Sequence, residues 1–87
     1  MKTIWKYPLE VTDRQYVSMP EGANALSVIV QEGVPTLYAL VNPRLKSLQR
    51  RQITICGTGK PCNADVSGFI GTVETNGGRF VWHVFVD

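Results

Sequence analysis

The sequence predicts one all-β domain over residues 1–87, with about six or seven strands. Apolar and polar residues alternate with a period of two in several short runs, which is typical of half-buried strands. Clusters of glycine, proline and asparagine separate these runs, and no segment of ten or more residues shows a helical period. A meander, a small sandwich and a partly closed barrel all fit this pattern.

The amino-terminal half is predicted to contain four strands. Residues 3–11 alternate, but Pro8 cannot donate to a sheet, so this strand belongs at an edge or a bulge. A short strand follows at residues 14–19. Residues 25–31 and 36–41 are then expected to be hairpin partners at the centre of the core. One face of the first hairpin strand carries Leu26, Val28 and Val30.

The connection to the second half begins with a predicted helical turn at residues 43–50. Pro43 suits the first position of such a turn, and Leu45 and Leu48 would share one face. The strand "RQITIC" follows, and then a loop in which Val66 is the only apolar anchor between Asn63 and Gly68.

The carboxyl-terminal segment predicts a hairpin, because the turn "NGG" separates "FIGTVET" from "RFVWHVFV". The last strand is apolar on both faces, so it should not lie at a solvent-exposed edge of the sheet. It is either central in its sheet, or its face with Val81, His83 and Phe85 is covered by a second subunit. A small domain buries little surface, which favours the second option and predicts a homo-oligomer with Phe85 near the interface.

The net charge is only +2, but it is unevenly distributed. Residues 1–43 contain three cations and four acids, whereas residues 44–87 contain six cations and three acids. Four of these cations fall within eight residues that include no acid. Arginine suits phosphate and carboxylate groups, so this run is either an anion contact surface or a solvated loop.

The segment "GTGKP" is a second candidate for anion binding, since glycines allow backbone amides to point at an oxyanion. It is not an NTPase phosphate loop, because Pro61 follows Lys60 and no helix begins there. Tyr38 is a candidate for stacking on a base. The predicted ligand-binding residues are Tyr38, Arg44, Lys46, Arg50, Arg51, Gly57, Gly59 and Lys60.

No catalytic residue, metal site or cofactor is predicted. His83 lies in the most apolar strand with no carboxylate nearby in sequence, and Cys56 could act as a nucleophile only if His83 came within reach. Cys56 and Cys62 lack the spacing of zinc or redox pairs, and free thiols are favoured over a disulfide between them. Most of the aromatic residues should form the core, although exposed ones could stack on the bases of a single strand.

No signal peptide and no apolar run long enough to cross a membrane is visible, so a cytoplasmic location is expected. Four stretches, "MKTIWKYPLEVTD", "MPEGANALSVIVQEGVPTLYALVNP", "GTGKP" and "FIGTVETNGGRFVWHVFV", resemble a family of small uncharacterised proteins encoded by bacteriophages and prophages. The resemblance carries no functional residues.

The resemblance implies a setting in the host cytoplasm. It implies an accessory protein that counters host defence by stoichiometric binding, either of a nucleotide signal or of a host defence protein. A binder of single-stranded nucleic acid is the alternative, which the modest net charge makes less favoured.

Overall fold

The computed structural model describes residues 1–87 as an all-β fold, which confirms the predicted class. Its seven strands are β1 (Thr3–Pro8), β2 (Arg14–Pro20), β3 (Asn24–Gln31), β4 (Val34–Val41), β5 (Leu48–Gly57), β6 (Phe69–Thr75) and β7 (Phe80–Val86). The only helical segment is one 3-10 turn at Val66–Gly68, and no helix is long and apolar enough to cross a membrane.

The strands form two antiparallel sheets that are not closed into a barrel. One sheet has the order β1-β4-β3 and the other has the order β2-β5-β7-β6. Of the three predicted arrangements, the structure is therefore a small sandwich. Its core lies between the sheets, where Leu37 from one central strand and Ile53 from the other are fully buried.

The two sheets approach most closely along the edges formed by β3 and β6. A Cβ atom on Gly71 would lie 2.9 Å from Cγ1 of Val28, so no larger residue fits at this position without movement of the Val28 side chain. The absence of a side chain at Gly71 therefore lets β6 pack directly on β3.

The predicted edge position of β1 is confirmed, and Pro8 pairs with Thr36 at its end. The β3–β4 hairpin is also confirmed, although β4 alone is central and β3 is an edge strand. A β-bulge between Ala25 and Ser27 shifts the register, which leaves Leu26 about half exposed. The expected shared face of Leu26, Val28 and Val30 is thus wrong at Leu26, because the bulge inserts one extra residue.

The predicted helical turn at residues 43–50 is wrong. A short turn follows Asn42, whose Oδ1 accepts from the Arg44 N–H and whose carbonyl accepts from the Leu45 N–H, both at 3.1 Å. From Leu48 onward the chain pairs with β2, beginning opposite Pro20, so strand pairing takes up the backbone groups that a helix would have used. Leu45 and Leu48 are both exposed.

The loop between β5 and β6 differs from expectation in two ways. Cys56 and Cys62 form a disulfide with a Cα–Cα distance of 5.7 Å, so the expectation of free thiols is wrong. Val66 is 81% exposed, so its side chain does not anchor the loop to the core as predicted. The turn that contains it is capped instead by Asp65, whose Oδ1 accepts from the N–H of Ser67 at 3.0 Å and from its hydroxyl at 2.9 Å.

The carboxyl-terminal hairpin is confirmed, with the φ angles of Asn76, Gly77 and Gly78 all positive. The last strand, β7, is central between β5 and β6, which is the first of the two alternatives stated for it. Phe85 is half buried without a second subunit. The homo-oligomer stays a prediction that now rests on domain size alone.

Candidate functional site

The structure distributes the predicted ligand-binding residues over separate places. Arg44 and Lys46 are exposed in the connection that precedes β5, whereas Gly57, Gly59 and Lys60 lie at the other end of this strand. Ten residues of extended chain span about 30 Å at roughly 3.3 Å per residue. The basic run and the glycine loop therefore do not form one site.

Arg50 and Arg51 point to opposite faces of β5, as expected of neighbours in a strand. The guanidinium of Arg51 is turned inward, where Nη1 donates to the carbonyl of Ala23 at 2.9 Å and Nε donates to Oδ1 of Asp87 at 3.2 Å. The guanidinium of Arg51 is therefore engaged in hydrogen bonds within the chain and is not available to a ligand. Arg50 is exposed, and its guanidinium carbon lies 3.9 Å from the ring centroid of Tyr16.

Tyr38 lies on the outer face of the other, three-stranded sheet, directly opposite Lys6 and Ser27. Its hydroxyl donates to Oε1 of Gln31. The predicted combination of Tyr38 with the glycine loop is not formed, because the whole core separates the outer faces of the two sheets.

A cleft of about 640 Å³ lies where β5 continues past the first residue of β2. Its walls come from the β1–β2 loop, from β5, from the disulfide-closed loop after β5 and from Trp82. The charged groups that line it are Asp13, Arg14 and Lys60. A cavity of this volume is in the range that binds small molecules.

Gly57 contributes backbone to this cleft. The N–H of Ile55 donates to the carbonyl of Asp13 at 3.2 Å, and backbone groups two residues apart in a strand point the same way. The N–H of Gly57 therefore points to the β2 side, where β2 has not yet begun. Its carbonyl accepts from the N–H of Lys60 at 3.1 Å, which turns the loop back over the cleft.

Close packing explains why glycine occupies position 57. A Cβ atom there would lie 3.2 Å from Cζ3 of Trp82, so a side chain would press on the indole that forms one wall. Gly59 has a φ of +82° and supplies the turn, with open space around it. Of the predicted residues, the structure thus brings Gly57 and Lys60 into one cleft.

Arg14 is the residue that sequence reasoning missed. It lies in the half of the chain with slightly more acids than cations, far in sequence from Lys60, and no local motif marks it. The antiparallel pairing of Arg14 with Thr54 brings it to the cleft. Only strand register could have shown this, and neither strand's pattern specifies its partner.

Two threonines hold His83 in place. Its Nε2 lies 2.7 Å from the hydroxyl of Thr58 and its Nδ1 lies 3.0 Å from that of Thr72. Cys56 lies directly opposite His83 on β5, but its sulfur is bonded to Cys62. No group of three or more histidine, cysteine or acidic residues is placed to hold a metal ion.

The cleft opens onto the outer face of the four-stranded sheet, which is rich in aromatic side chains. Tyr16 and Phe69 are about half exposed. Phe69 packs edge-to-face on Phe85, with ring centroids 5.5 Å apart, and the Tyr16 hydroxyl donates to Oε1 of Gln52 at 3.2 Å. Gln52 also lines the cleft, so the cleft and this face are continuous.

Comparison with curated proteins and with solved structures finds no match. A family model matches the whole described chain, residues 1–87, and its description is a domain of unknown function. The chain is therefore a member of the DUF7352 family.

Proposed function

We propose that this protein works by stoichiometric binding, and that its ligand is a small phosphate-bearing molecule of the nucleotide class, held in the cleft beside Gly57. The observation that carries the proposal is that Gly57, whose N–H points to the β2 side, lines one cavity together with two cations, Arg14 and Lys60. A backbone donor flanked by cationic side chains is the arrangement that binds phosphate oxygens.

Three further features support this ligand class. The volume of about 640 Å³ accommodates a nucleotide. Trp82 lines the cleft and contributes an aromatic side chain to it. The single acid, Asp13, leaves the charged groups of the cleft with a positive balance, which favours an anion.

Binding without turnover fits the side chains around the cleft. The candidate nucleophile Cys56 is tied into the disulfide, and the hydrogen-bond partners of His83 are two hydroxyl groups. Catalysis of phosphate transfer would require a positioned base or a metal ion near the phosphates. We therefore expect a bound nucleotide to be recovered unchanged.

The proposed setting follows from the resemblance to proteins encoded by bacteriophages and prophages. In that setting the protein would counter host defence by sequestering a nucleotide signal. Inhibition of a host defence protein is the competing function in the same setting. Arg50 would then contact the host protein, because Arg51 is bound to Asp87.

Isothermal titration calorimetry against a panel of mono- and dinucleotides tests the proposal. We expect one site per chain with micromolar affinity, and a loss of about tenfold or more in Arg14→Gln and in Lys60→Gln, since each removes a charge-assisted hydrogen bond. Lys46→Gln is the matched control, because Lys46 lies at the far end of β5. Its affinity should equal that of the unmodified protein.

Two results would contradict the proposal. One is the absence of binding heat for every nucleotide at micromolar protein. The other is an equal loss of affinity in Lys46→Gln and Lys60→Gln, which would indicate non-specific charge attraction instead of a cleft. Chromatography of the ligand after incubation checks for turnover, and a product peak would exclude pure binding.

A further inference from the structure

The outer face of the four-stranded sheet carries an unexplained combination of aromatic and cationic side chains. In one row across the four strands, Arg14, Thr54, Phe85 and Phe69 lie directly opposite one another. The next row holds Tyr16 opposite Gln52. These side chains therefore share one face, and Arg14 and Gln52 connect that face to the cleft.

The aromatic rings of this face are accessible and not part of the core. Tyr16 is 47% exposed and Phe69 is 48% exposed. The sheet extends over three strand spacings from β2 to β6, or about 14 Å. This width matches the sheets of nucleic-acid-binding modules, on which two or three bases stack.

Arg50 adds charge to the aromatic surface. Its guanidinium lies over Tyr16, so this pair offers a stacked plane with a positive charge on it. Together with Arg14 and with Lys60 of the cleft, it gives three cations against two acids, which are Asp13 in the cleft and Glu74 opposite Val81 at the far strand. This excess of positive charge favours binding of a polyanion.

The outer face of the three-stranded sheet lacks this combination. Ile4 and Ile29 are exposed there, Leu40 is half buried, and Lys6 is the cation beside Tyr38. Aliphatic side chains cannot stack on bases as aromatic rings do. The two faces therefore differ in chemistry, and only one combines aromatic rings with arginine.

We propose that the outer face of the four-stranded sheet is a stacking platform for single-stranded nucleic acid, and that the cleft holds one phosphate of that strand. The inference rests on the proposed function, because the cleft supplies the anchoring phosphate contacts. Bases then stack on the Arg50–Tyr16 pair and on the Phe69–Phe85 pair, while Arg14 contacts the backbone. The platform thus binds an oligonucleotide, whereas a single nucleotide fills only the cleft.

Fluorescence anisotropy with a labelled oligothymidylate of roughly ten nucleotides tests this platform. Tyr16→Ala and Phe69→Ala should each weaken oligonucleotide binding about tenfold or more and leave mononucleotide affinity unchanged. Tyr38→Ala is the matched control, because Tyr38 is also a sheet tyrosine bonded to a glutamine but lies on the opposite face. With three cations in contact, the logarithm of the affinity should fall with the logarithm of salt with a slope of about −2.

The variants separate the two proposals. Both proposals are supported if Lys60→Gln loses binding of the mononucleotide and of the oligonucleotide, and if Tyr16→Ala and Phe69→Ala weaken binding of the oligonucleotide alone. Mononucleotide binding without any gain for the oligonucleotide overturns the platform and leaves the proposed function intact. The absence of binding to either probe overturns both.

Two other outcomes also overturn the platform. The first is an equal effect of Tyr38→Ala and Tyr16→Ala on the oligonucleotide. The second is a concentration-dependent dimer that dissociates in Tyr16→Ala or Phe69→Ala, because a second copy would then occupy the face. Thermal unfolding of each variant confirms that it is folded. Tyr16→Phe, which keeps the ring but loses the bond to Gln52, should retain most of the affinity.

Discussion

Arg51 and Asp87 form an ion pair, with Nε of the arginine 3.2 Å from Oδ1 of the aspartate. The same guanidinium also bonds to the main-chain carbonyl of Asp87 and to that of Ala23. Arg51 thus joins β5 to the end of the chain and to the loop that precedes β3. This arginine therefore stabilises the fold.

We expect Arg51→Met to lower the free energy of unfolding by about 1–2 kcal/mol, because it leaves the carbonyl of Ala23 without its donor. Asp87 is more exposed, so Asp87→Asn should cost less than about 1 kcal/mol. Urea denaturation measures both. Arg50→Met is the control at the adjacent position, and an equally large loss there would contradict the structural role of Arg51.

Gly68 should not tolerate a side chain. A Cβ atom at this position would collide with the main-chain carbonyl oxygen of Val86, which cannot move without disturbing the pairing of β7. We expect Gly68→Ala to destabilise the protein by about 2 kcal/mol or more. Val66→Ala, in the same 3-10 turn but exposed, should change stability by less than about 0.5 kcal/mol. Similar melting curves for the two variants would refute this packing.

The hydroxyl of Tyr7 is buried and has no hydrogen-bond partner. Tyr7→Phe should therefore leave the free energy of unfolding unchanged or raise it by up to about 1 kcal/mol, because it removes an unsatisfied polar group. Tyr38→Phe, which loses the bond to Gln31, should be neutral or slightly destabilising. A clear loss of stability in Tyr7→Phe would show that the hydroxyl has a partner.

Burial also raises the pKa of Tyr7 above its ordinary value of 10.0. The unfolded chain releases this proton first as the pH rises. Ionisation of Tyr7 therefore leaves the free energy of unfolding unchanged below pH 10.0 and lowers it as the pH rises through the folded pKa. Ultraviolet titration should detect a late-ionising tyrosine that is absent from Tyr7→Phe, and its presence there would contradict the assignment.

Hydrogen bonds from the backbone N–H and the hydroxyl of Ser67 hold the pKa of Asp65 below 3.8. Because the unfolded chain binds the proton at higher pH, the stabilisation is present above that value and lost as the pH falls through the folded pKa. Titration of the carboxyl by NMR should give a value below 3.8. Ser67→Ala keeps the N–H but loses the hydroxyl, so it should move the pKa part of the way back up.

The disulfide between Cys56 and Cys62 closes a short loop, with a sequence separation of 6. Loop-closure entropy predicts that its reduction lowers the free energy of unfolding by about 2 kcal/mol. The Cys56→Ser, Cys62→Ser double variant should show the same loss and no response to reductant. Thiol titration under denaturing conditions without reductant provides the check, and two reactive thiols per chain would disprove the bond.

Local pattern was sufficient to predict most of the strands. Pro8 indicated an edge strand because a proline has no N–H to donate, and "NGG" indicated the last hairpin because its residues adopt positive φ. Local reasoning failed at residues 43–50, where the spacing of Leu45 and Leu48 resembled a helical turn. Pairing of β5 with β2 overrode that weak preference.

The candidate site was only partly visible in the sequence. Gly57 and Lys60 were identified because backbone freedom and charge are local properties of "GTGKP". The run of cations was interpreted as either one contact surface or a solvated loop, but the structure separates its members. Arg51 turns inward to Asp87, and Arg50 turns outward over Tyr16. The side of a strand that a residue faces depends on register, which no single segment determines.

By itself, the sequence determined the all-β class, the turns and the alternation of apolar residues, since these depend on neighbours along the chain. Only the tertiary structure decided that β7 is central, that Arg14 and Lys60 line the same cleft, and that Tyr16, Phe85 and Phe69 share one open face. The reason is that strand order and register arise from packing two sheets around one core. That packing joins residues far apart in the chain, and the local pattern of each strand is compatible with several partners.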